Sequence, residues 1–204
     1  YLILDSRIIL PSGKAVKRAY SFLTGDAEQR RFQLAVKRIP DGLGSAFVHG
    51  LDAGTDISFS GPWGKFVPRE GGSGSTLILA TDTGITAALG FLRATRFASL
   101  LPQTRLIWLR DSAEYFLPDA FVRTQIPAAC GEVRIEAIPA VGHQDRIPHV
   151  RAILHEVLSR GDLAQPFTAG DGAVHQLLFD DLVAAGAAAD QIQVESFFNM
   201  PKKS

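Results

Sequence analysis

From residue 76 onward, short apolar, strand-like segments alternate with longer helix-like ones, and this alternation restricts the fold more than any other feature of the chain. Strands are predicted at 76–81, 105–109, 132–138, 166–169 and 191–195, and helices at 84–98, 112–121, 148–159 and 172–185. Such a pattern predicts a doubly wound, five-stranded parallel sheet with helices on both faces. Ligands bind such sheets at the carboxyl ends of the strands, so the residues after each strand are the first candidates for function.

The first 68 residues have a different pattern. Short alternating segments at 1–5, 17–23, 31–38 and 55–60 are separated by turn signals, which predicts an antiparallel sheet or barrel. The glycine- and serine-rich residues 69–75 resemble a linker, which divides the chain into a β module at 1–68 and an α/β module at 76–204. Because the chain opens on strand-like sequence at Tyr1, without a methionine, we expect further residues before it.

Composition argues against several classes of function. Lys and Arg total 21 and Asp and Glu total 21, so the formal charge is zero, which argues against a nucleic-acid binder or a polybasic membrane anchor. A single cysteine, Cys130, excludes an internal disulfide, a cysteine zinc site and an iron–sulfur cluster within these residues. His149 and His155 do not share a helix face, so no metal site is expected. No apolar run approaches ~20 residues, so we expect no membrane span and a cytoplasmic protein.

The motif at 18–21 has the chemistry of a site for a phosphorylated aromatic ligand. Alternation places Arg18 and Tyr20 on one face of a strand and Ser21 on the other. A guanidinium binds the anion while a phenol lies against the ring. An edge arginine beside a core tyrosine would give the same pattern, so the motif alone leaves both interpretations open.

A second motif in the β module, at 42–45, indicates close approach of the backbone to a ligand. Gly42 and Gly44 have no side chain to prevent it, and Ser45 is expected to cap a short helix. Outward-pointing amides at such a helix form an anion cradle. An ordinary glycine turn with an N-cap is the alternative.

Three further loops follow strands of the α/β module. Thr83 and Gly84 lie where a dinucleotide would meet a helix N-terminus, although Asp82 beside them would repel a diphosphate unless it caps the helix and faces away. A second ligand-facing loop is expected at 169–172. Glu195 and Phe197 end the last strand and would face the same crevice.

Taken in order, these motifs resemble those of the ferredoxin–NADP reductase superfamily. The matching segments are Arg18-Ala19-Tyr20-Ser21, Gly42-Leu43-Gly44-Ser45, Gly61-Pro62-Trp63-Gly64-Lys65-Phe66, Thr83-Gly84-Ile85-Thr86, Ala169-Gly170 and Glu195-Ser196-Phe197. The resemblance implies a flavin-binding β-barrel, a domain for NADH or NADPH, and electron transfer through FAD to an iron–sulfur or haem acceptor protein. The family's barrel has strands ahead of the first motif that are absent from these residues.

The resemblance also implies roles for single residues. Arg18, Gly42, Gly44 and Ser45 would hold the FAD pyrophosphate, and Tyr20 would contact the flavin. Ser21 and Glu195 would be the catalytic residues, with Ser21 near flavin N5. Thr83 and Gly84 would border the nicotinamide nucleotide, and Phe197 would shield the flavin.

Departures from the family pattern lie in the nicotinamide half. Asp82, Ala87 and Ala169 replace a glycine, a proline and a cysteine of the family. Two alternatives therefore stay open: a ferric-siderophore reductase, or a flavin-binding regulatory subunit that does not use pyridine nucleotide. Arg110, His143 and Arg146 are the candidates for a ribose phosphate, but they form no convincing cluster, which favours NADH.

Overall fold

The computed structural model describes residues 1–67, 74–112, 115–161 and 163–199. They form a three-stranded antiparallel sheet followed by a five-stranded sheet with only parallel neighbours. This is the order of modules that the sequence predicts. The linker predicted at 69–75 lies mostly outside the described residues, so the division of the chain into domains stays a prediction.

The small sheet has the order β2-β1-β3, with β1 at Leu2–Ile9, β2 at Ala15–Tyr20 and β3 at Ser58–Ser60. Leu2 and Leu4 are buried on one face of β1, as alternation in a half-covered strand requires. A short helix, α1 at Leu43–His49, lies against β2.

The strand predicted at 31–38 is wrong. These residues are irregular, and the bond from Leu23 N to Gln33 O at 2.9 Å does not continue into a ladder. A strand needs a neighbour to pair its backbone groups, and no strand of the described chain pairs with this segment. Alternating side chains alone therefore did not specify a strand here.

The large sheet has the order β6-β5-β4-β7-β8. Its strands are β4 at Ser75–Thr81, β5 at Thr104–Arg110, β6 at Glu132–Ala137, β7 at Leu163–Asp171 and β8 at Gln193–Phe198. The chain runs outward from β4 to β6 and then returns to place β7 on the other side of β4. The order of connection therefore reverses between β4 and β7, at whose carboxyl ends such sheets bind ligands.

Four helices connect these strands: α2 at Ile85–Leu92, α3 at Asp119–Gln125, α4 at Arg146–Leu158 and α5 at Gly172–Ala184. The helix predicted over 84–98 ends early, because Asp26 accepts hydrogen bonds from Thr95 N and Oγ1, both at 2.7 Å, and a 3-10 segment begins there. The helix predicted over 112–121 begins only after Pro118, whose backbone is extended; residues 113–114 of that prediction lie outside the described chain.

Helices cover both faces of the large sheet, as predicted. On one face Ile78, Trp108 and Phe167 pack beneath α2 together with Leu23 and Phe66 from the β module. On the other face the apolar residues of β4 and β5 pack against α4 and α5. The two cores together account for the near-continuous burial of the central strands.

The β module lies directly on α2. A Cβ atom added to Gly90 would be 2.1 Å from Phe22 O, and one added to Gly25 would be 2.0 Å from Arg93 O. Glycine therefore allows backbone-to-backbone contact between the modules. Within the described ranges, no helix has the length and apolar character needed to cross a membrane.

Candidate functional site

Arg18, Tyr20 and Gly44 meet where α1 lies on β2, and we call this group the Arg18 corner. A Cβ atom added to Gly44 would lie 2.5 Å from Arg18 Cγ and 3.4 Å from Tyr20 Oη, so glycine is needed for this approach. Arg18 is exposed, donates to Lys17 O at 2.8 Å, and has no carboxylate partner in the described part of the chain. Burial raises the pKa of Tyr20, with Arg18 opposing the shift, so the phenol is neutral near pH 7.

Ser45 is placed differently from its predicted capping position. The N-cap of α1 is Gly42, and Ser45 is the third residue of the helix. Its buried hydroxyl accepts from Ile39 N at 3.1 Å and donates to Gly42 O at 3.0 Å. The prediction that Ser45 caps α1 is therefore wrong, because its hydroxyl braces the turn that precedes the helix.

A cavity of about 520 Å³ is lined by residues of both modules. Ser21 reaches it from the end of β2 and Glu195 from β8, so the fold brings the two predicted catalytic residues to one space. Aromatic side chains form much of the remaining wall: Tyr1, Phe22, Phe32, Phe59, Trp63, Phe66 and Phe91. Arg18, Tyr20, Gly42, Gly44 and Ser45 do not line this cavity.

Glu195 is the partly buried carboxyl group of this cavity. Burial raises its pKa above the ordinary glutamate value, so it takes up a proton more readily than an exposed carboxyl group. Phe197 lies two residues further along β8, where the pairing with β7 shifts register between Ser196 and Phe198, and it does not line the cavity. Trp63 and Phe66 of the aromatic wall belong to the motif at 61–66, whereas sequence reasoning missed the other aromatic side chains of the wall.

The loops after β4 and β7 interlock at the carboxyl edge of the large sheet. A Cβ atom on Gly84 would lie 2.0 Å from Ala169 O, and one on Gly170 would lie 2.1 Å from Thr81 O. Thr83 O accepts from Thr86 Oγ1 at 2.9 Å, which closes the first turn before α2. The two predicted nucleotide loops are therefore in backbone contact.

Beneath these loops lies a buried ion cluster of Asp82, Arg146 and Asp171. Arg146 bonds to Asp82, and its Nε lies 3.2 Å from Asp171 Oδ2. Burial raises the pKa of Asp82, and Arg146 opposes this shift. The side chain of Asp82 is buried against Arg146 and makes no capping hydrogen bond, so the predicted alternative that it caps the helix is wrong.

Two of the three candidate ribose-phosphate ligands, Arg146 and Arg110, already have carboxylate partners within the chain. Arg146 is not available as a ribose-phosphate ligand, because its guanidinium is buried among Asp82, Asp171 and Pro139 O. Arg110 is also engaged: it donates to both carboxylate oxygens of Asp119, at 2.8 and 2.5 Å. Neither pairing has a sequence signal, since ion pairs between distant loops follow no spacing rule.

Among the described residues, no histidine lines the cavity. His143, His149 and His155 are exposed and lie within 3.7 Å of carboxylates. His175 is buried, and its Nδ1 lies 3.5 Å from Ser196 Oγ. The described residues hold no group of three or more His, Cys, Asp or Glu side chains arranged for a metal ion.

The Arg18 corner fits a flavin nucleotide by its donors and its shape. Arg18 presents a cation without a carboxylate partner among the described residues, and Tyr20 presents a neutral ring beside it. Gly44 has no side chain, so Arg18 and Tyr20 can lie directly against the backbone of α1. The aromatic cavity beyond Ser21 suits planar rings.

Comparison with known proteins agrees with this assignment. Residues 1–67 match the family described as the oxidoreductase FAD-binding domain. A curated relative, ferredoxin–NADP reductase B of Sorangium cellulosum, is 36% identical over 127 residues, which cover 62% of this chain and 50% of the relative. The chain thus spans about half the length of that relative.

Solved structures share the fold at low sequence identity. A siderophore-interacting protein of Acinetobacter baumannii has a TM-score of 0.71 at 15% identity, covering 97% of this chain and 75% of its own. A cytochrome P450 reductase of Amycolatopsis has a TM-score of 0.70 at 22% identity, covering 97% and 60%. Fold and site are those of a two-module protein whose first 67 residues match a flavin-binding domain. The chain is similar to members of the ferredoxin–NADP reductase superfamily.

Proposed function

We propose that this chain takes electrons from NAD(P)H and passes them through FAD to an iron–sulfur or haem acceptor protein. The observation that carries the proposal is the single cavity shared by Ser21 of the β module and Glu195 of the α/β module. A reductase of this kind must bring two flat rings into contact between its flavin and nucleotide modules. When bound, FAD supplies the redox chemistry, because it accepts an electron pair and releases electrons singly.

The residues of the chain would bind and orient the two nucleotides. Arg18 would pair with the FAD pyrophosphate, Gly44 would admit it to the α1 backbone, and Tyr20 would lie against the flavin. Gly42 and Ser45 would hold the shape of this turn, because the Ser45 hydroxyl donates a hydrogen bond to Gly42 O.

At the cavity, Ser21 would donate a hydrogen bond near flavin N5. Glu195 would accept or donate one beside it, according to its protonation. Phe197, two residues beyond Glu195 on β8, would shield the flavin from water.

Thr83 and Gly84 would border the nicotinamide nucleotide at the carboxyl edge. NADH is the favoured form, because Arg110 and Arg146 are both engaged by carboxylates of the chain itself. A ribose 2′-phosphate needs a free arginine or lysine. A cytoplasmic location also stays a prediction.

The relatives support the kind of acceptor. The Sorangium relative is named for ferredoxin and NADP, and the Amycolatopsis neighbour for cytochrome P450. A ferric-siderophore reductase is the second candidate. That group resembles this chain in an acidic residue near the position of Asp82 and an alanine–glycine pair near Ala169-Gly170, and the Acinetobacter neighbour is named as a siderophore-interacting protein. Ser21 counts against it, since that group usually has threonine there.

Anaerobic reduction tests the proposal. The purified full chain should bind FAD, become yellow and lose its flavin absorbance when NADH is added. Protein that refuses FAD would overturn the flavin assignment. Yellow protein that neither NADH nor NADPH bleaches would instead identify a flavin-binding subunit without pyridine-nucleotide use. Steady-state rates with ferredoxin, a P450 and ferric chelates would then rank the acceptors.

Glu195→Gln tests the site itself. We expect unchanged FAD content and flavin reduction by NADH slower by roughly 10²-fold or more, because one positioned acid–base group contributes roughly 10²–10⁴-fold to a rate. Glu28→Gln is the matched control, since Glu28 is an exposed carboxylate on the wall of the same cavity. Equal rates in both variants would remove Glu195 from the reaction.

A further inference from the structure

Arg146 connects three loops that lie far apart in sequence. It begins α4 after β6, whereas Asp82 follows β4 and Asp171 ends β7. Its guanidinium bonds to Asp82, donates from Nε to Asp171 Oδ2 at 3.2 Å, and donates from Nη1 to Pro139 O at 2.8 Å. One side chain therefore ties together the carboxyl ends of the two central strands.

The cluster is almost completely removed from water. The side chains of Asp82, Arg146 and Asp171 are 1%, 3% and 2% exposed. Buried ion pairs are often no more stabilising than apolar side chains of similar volume, because desolvation offsets their attraction. Unlike apolar packing, such a cluster makes directional hydrogen bonds, and each of them fixes the position of a particular loop.

The loops held in this way are strained and tightly packed. Asp82 has a φ of 52°, in the left-handed region that residues with a side chain rarely adopt. Its carbonyl accepts from Trp108 Nε1 at 2.9 Å, and Asp171 N donates to Thr81 Oγ1 at 2.8 Å. Strained backbone persists only where the surroundings hold it from several sides. Arg146 supplies one of these restraints from a third loop.

We propose that Arg146 is a positioning residue for nicotinamide-nucleotide binding: through Asp82 and Asp171 it holds the loops after β4 and β7 in the arrangement that receives the nucleotide. The inference rests on the proposed function, which places the nucleotide at this edge. It assigns to Arg146 an indirect role and no contact with the ligand.

Hydrogen exchange and steady-state kinetics of Arg146→Met test the proposal. Met keeps much of the volume but leaves both carboxylates without their cation. We expect amide exchange to accelerate at least tenfold in residues 82–86 and 170–174 of the nucleotide-free protein. With ferricyanide as acceptor, KM for NADH should rise at least tenfold while kcat stays within about threefold and FAD content is unchanged.

Arg151→Met is the matched control on the same helix, where Arg151 pairs with Asp181 at the surface. It should alter neither exchange nor KM. Arg146→Lys should raise KM for NADH less than Arg146→Met does, because lysine keeps the charge but loses the forked geometry.

Asp82→Asn covers the case in which Arg146→Met does not fold. Asn tolerates the left-handed conformation, so this variant removes one charge and keeps the backbone. Exchange should then accelerate in 82–86 but not in 170–174. Wild-type exchange in both segments, or a fall in kcat at unchanged KM, would overturn the proposal. If neither NADH nor NADPH reduces the wild type, the proposed function is wrong, while exchange still decides whether Arg146 holds the loops.

Discussion

At the scale of single residues, Gly44 shows how the absence of a side chain can build a binding site. Its backbone lies against Arg18 Cγ and beneath Tyr20 Oη, and a methyl group there would meet the arginine at 2.5 Å. Arg18 Cγ belongs to the base of the side chain, so it cannot move away without displacing the guanidinium. The position of the cation at the Arg18 corner therefore depends on a glycine twenty-six residues away in the chain.

Gly44→Ala should weaken FAD binding by about tenfold or more, because one displaced charge-assisted contact changes the binding free energy by about 1.5–3 kcal/mol. Flavin fluorescence titration of the apoprotein measures the effect. Gly50→Ala at the end of α1 is the control, since its φ is −97° and its nearest contact would be at 3.3 Å. Equal FAD affinity in wild type and Gly44→Ala would mean that Arg18 does not hold the pyrophosphate.

At the scale of elements, helix α2 is where the two modules pack together. Leu89 and Phe91 on this helix pack into the apolar cluster that Leu23 and Phe66 enter from the β module. Phe66 lies 5.1 Å from Phe91 between ring centroids. Apolar packing and glycine contact together set the distance between Ser21 and the large sheet.

Gly90→Ala should separate the modules slightly, because the added methyl group would lie 2.1 Å from Phe22 O. Overpacking of this kind costs about 1–3 kcal/mol of unfolding free energy. Urea unfolding followed by tryptophan fluorescence measures the loss, with Gly50→Ala again as the control. Unchanged stability together with an unchanged rate of flavin reduction would show that the contact relaxes without consequence.

At the scale of the whole molecule, buried His175 links stability to pH. Burial lowers the pKa of His175 to about 4, against an ordinary value of 6.5. The folded protein therefore excludes a proton that the unfolded chain accepts below pH 6.5. The free energy of unfolding therefore decreases as the pH falls from about 6.5 to about 4. At pH 5 the decrease due to His175 is about 2 kcal/mol.

His175→Asn should remove this part of the pH dependence, since asparagine can keep a hydrogen bond to Ser196 and does not titrate. The measurement is urea unfolding of wild type and variant at pH 7 and pH 5. His143→Asn, at an exposed position, should behave like the wild type. A variant that loses as much stability as the wild type over this range would show that other groups carry the dependence.

The sequence by itself predicted the two kinds of sheet and their order along the chain. Strands at a regular spacing between helices can bury both faces only in a parallel sheet, so periodicity was sufficient for the α/β module. Alternation in β2 also placed Arg18 and Tyr20 on one face, and both meet Gly44. These features follow from the local periodicity of apolar and polar residues along the chain.

Only the tertiary structure decided which charges are free. Arg18 has no carboxylate partner among the described residues, whereas Arg146 pairs with Asp82, 64 residues away, and with Asp171, 25 residues away. It also decided that residues 31–38 form no strand, because pairing needs a neighbour. Periodicity fixes which face of an element a residue occupies. The approach of distant loops depends on how the elements pack, and packing has no period in the sequence.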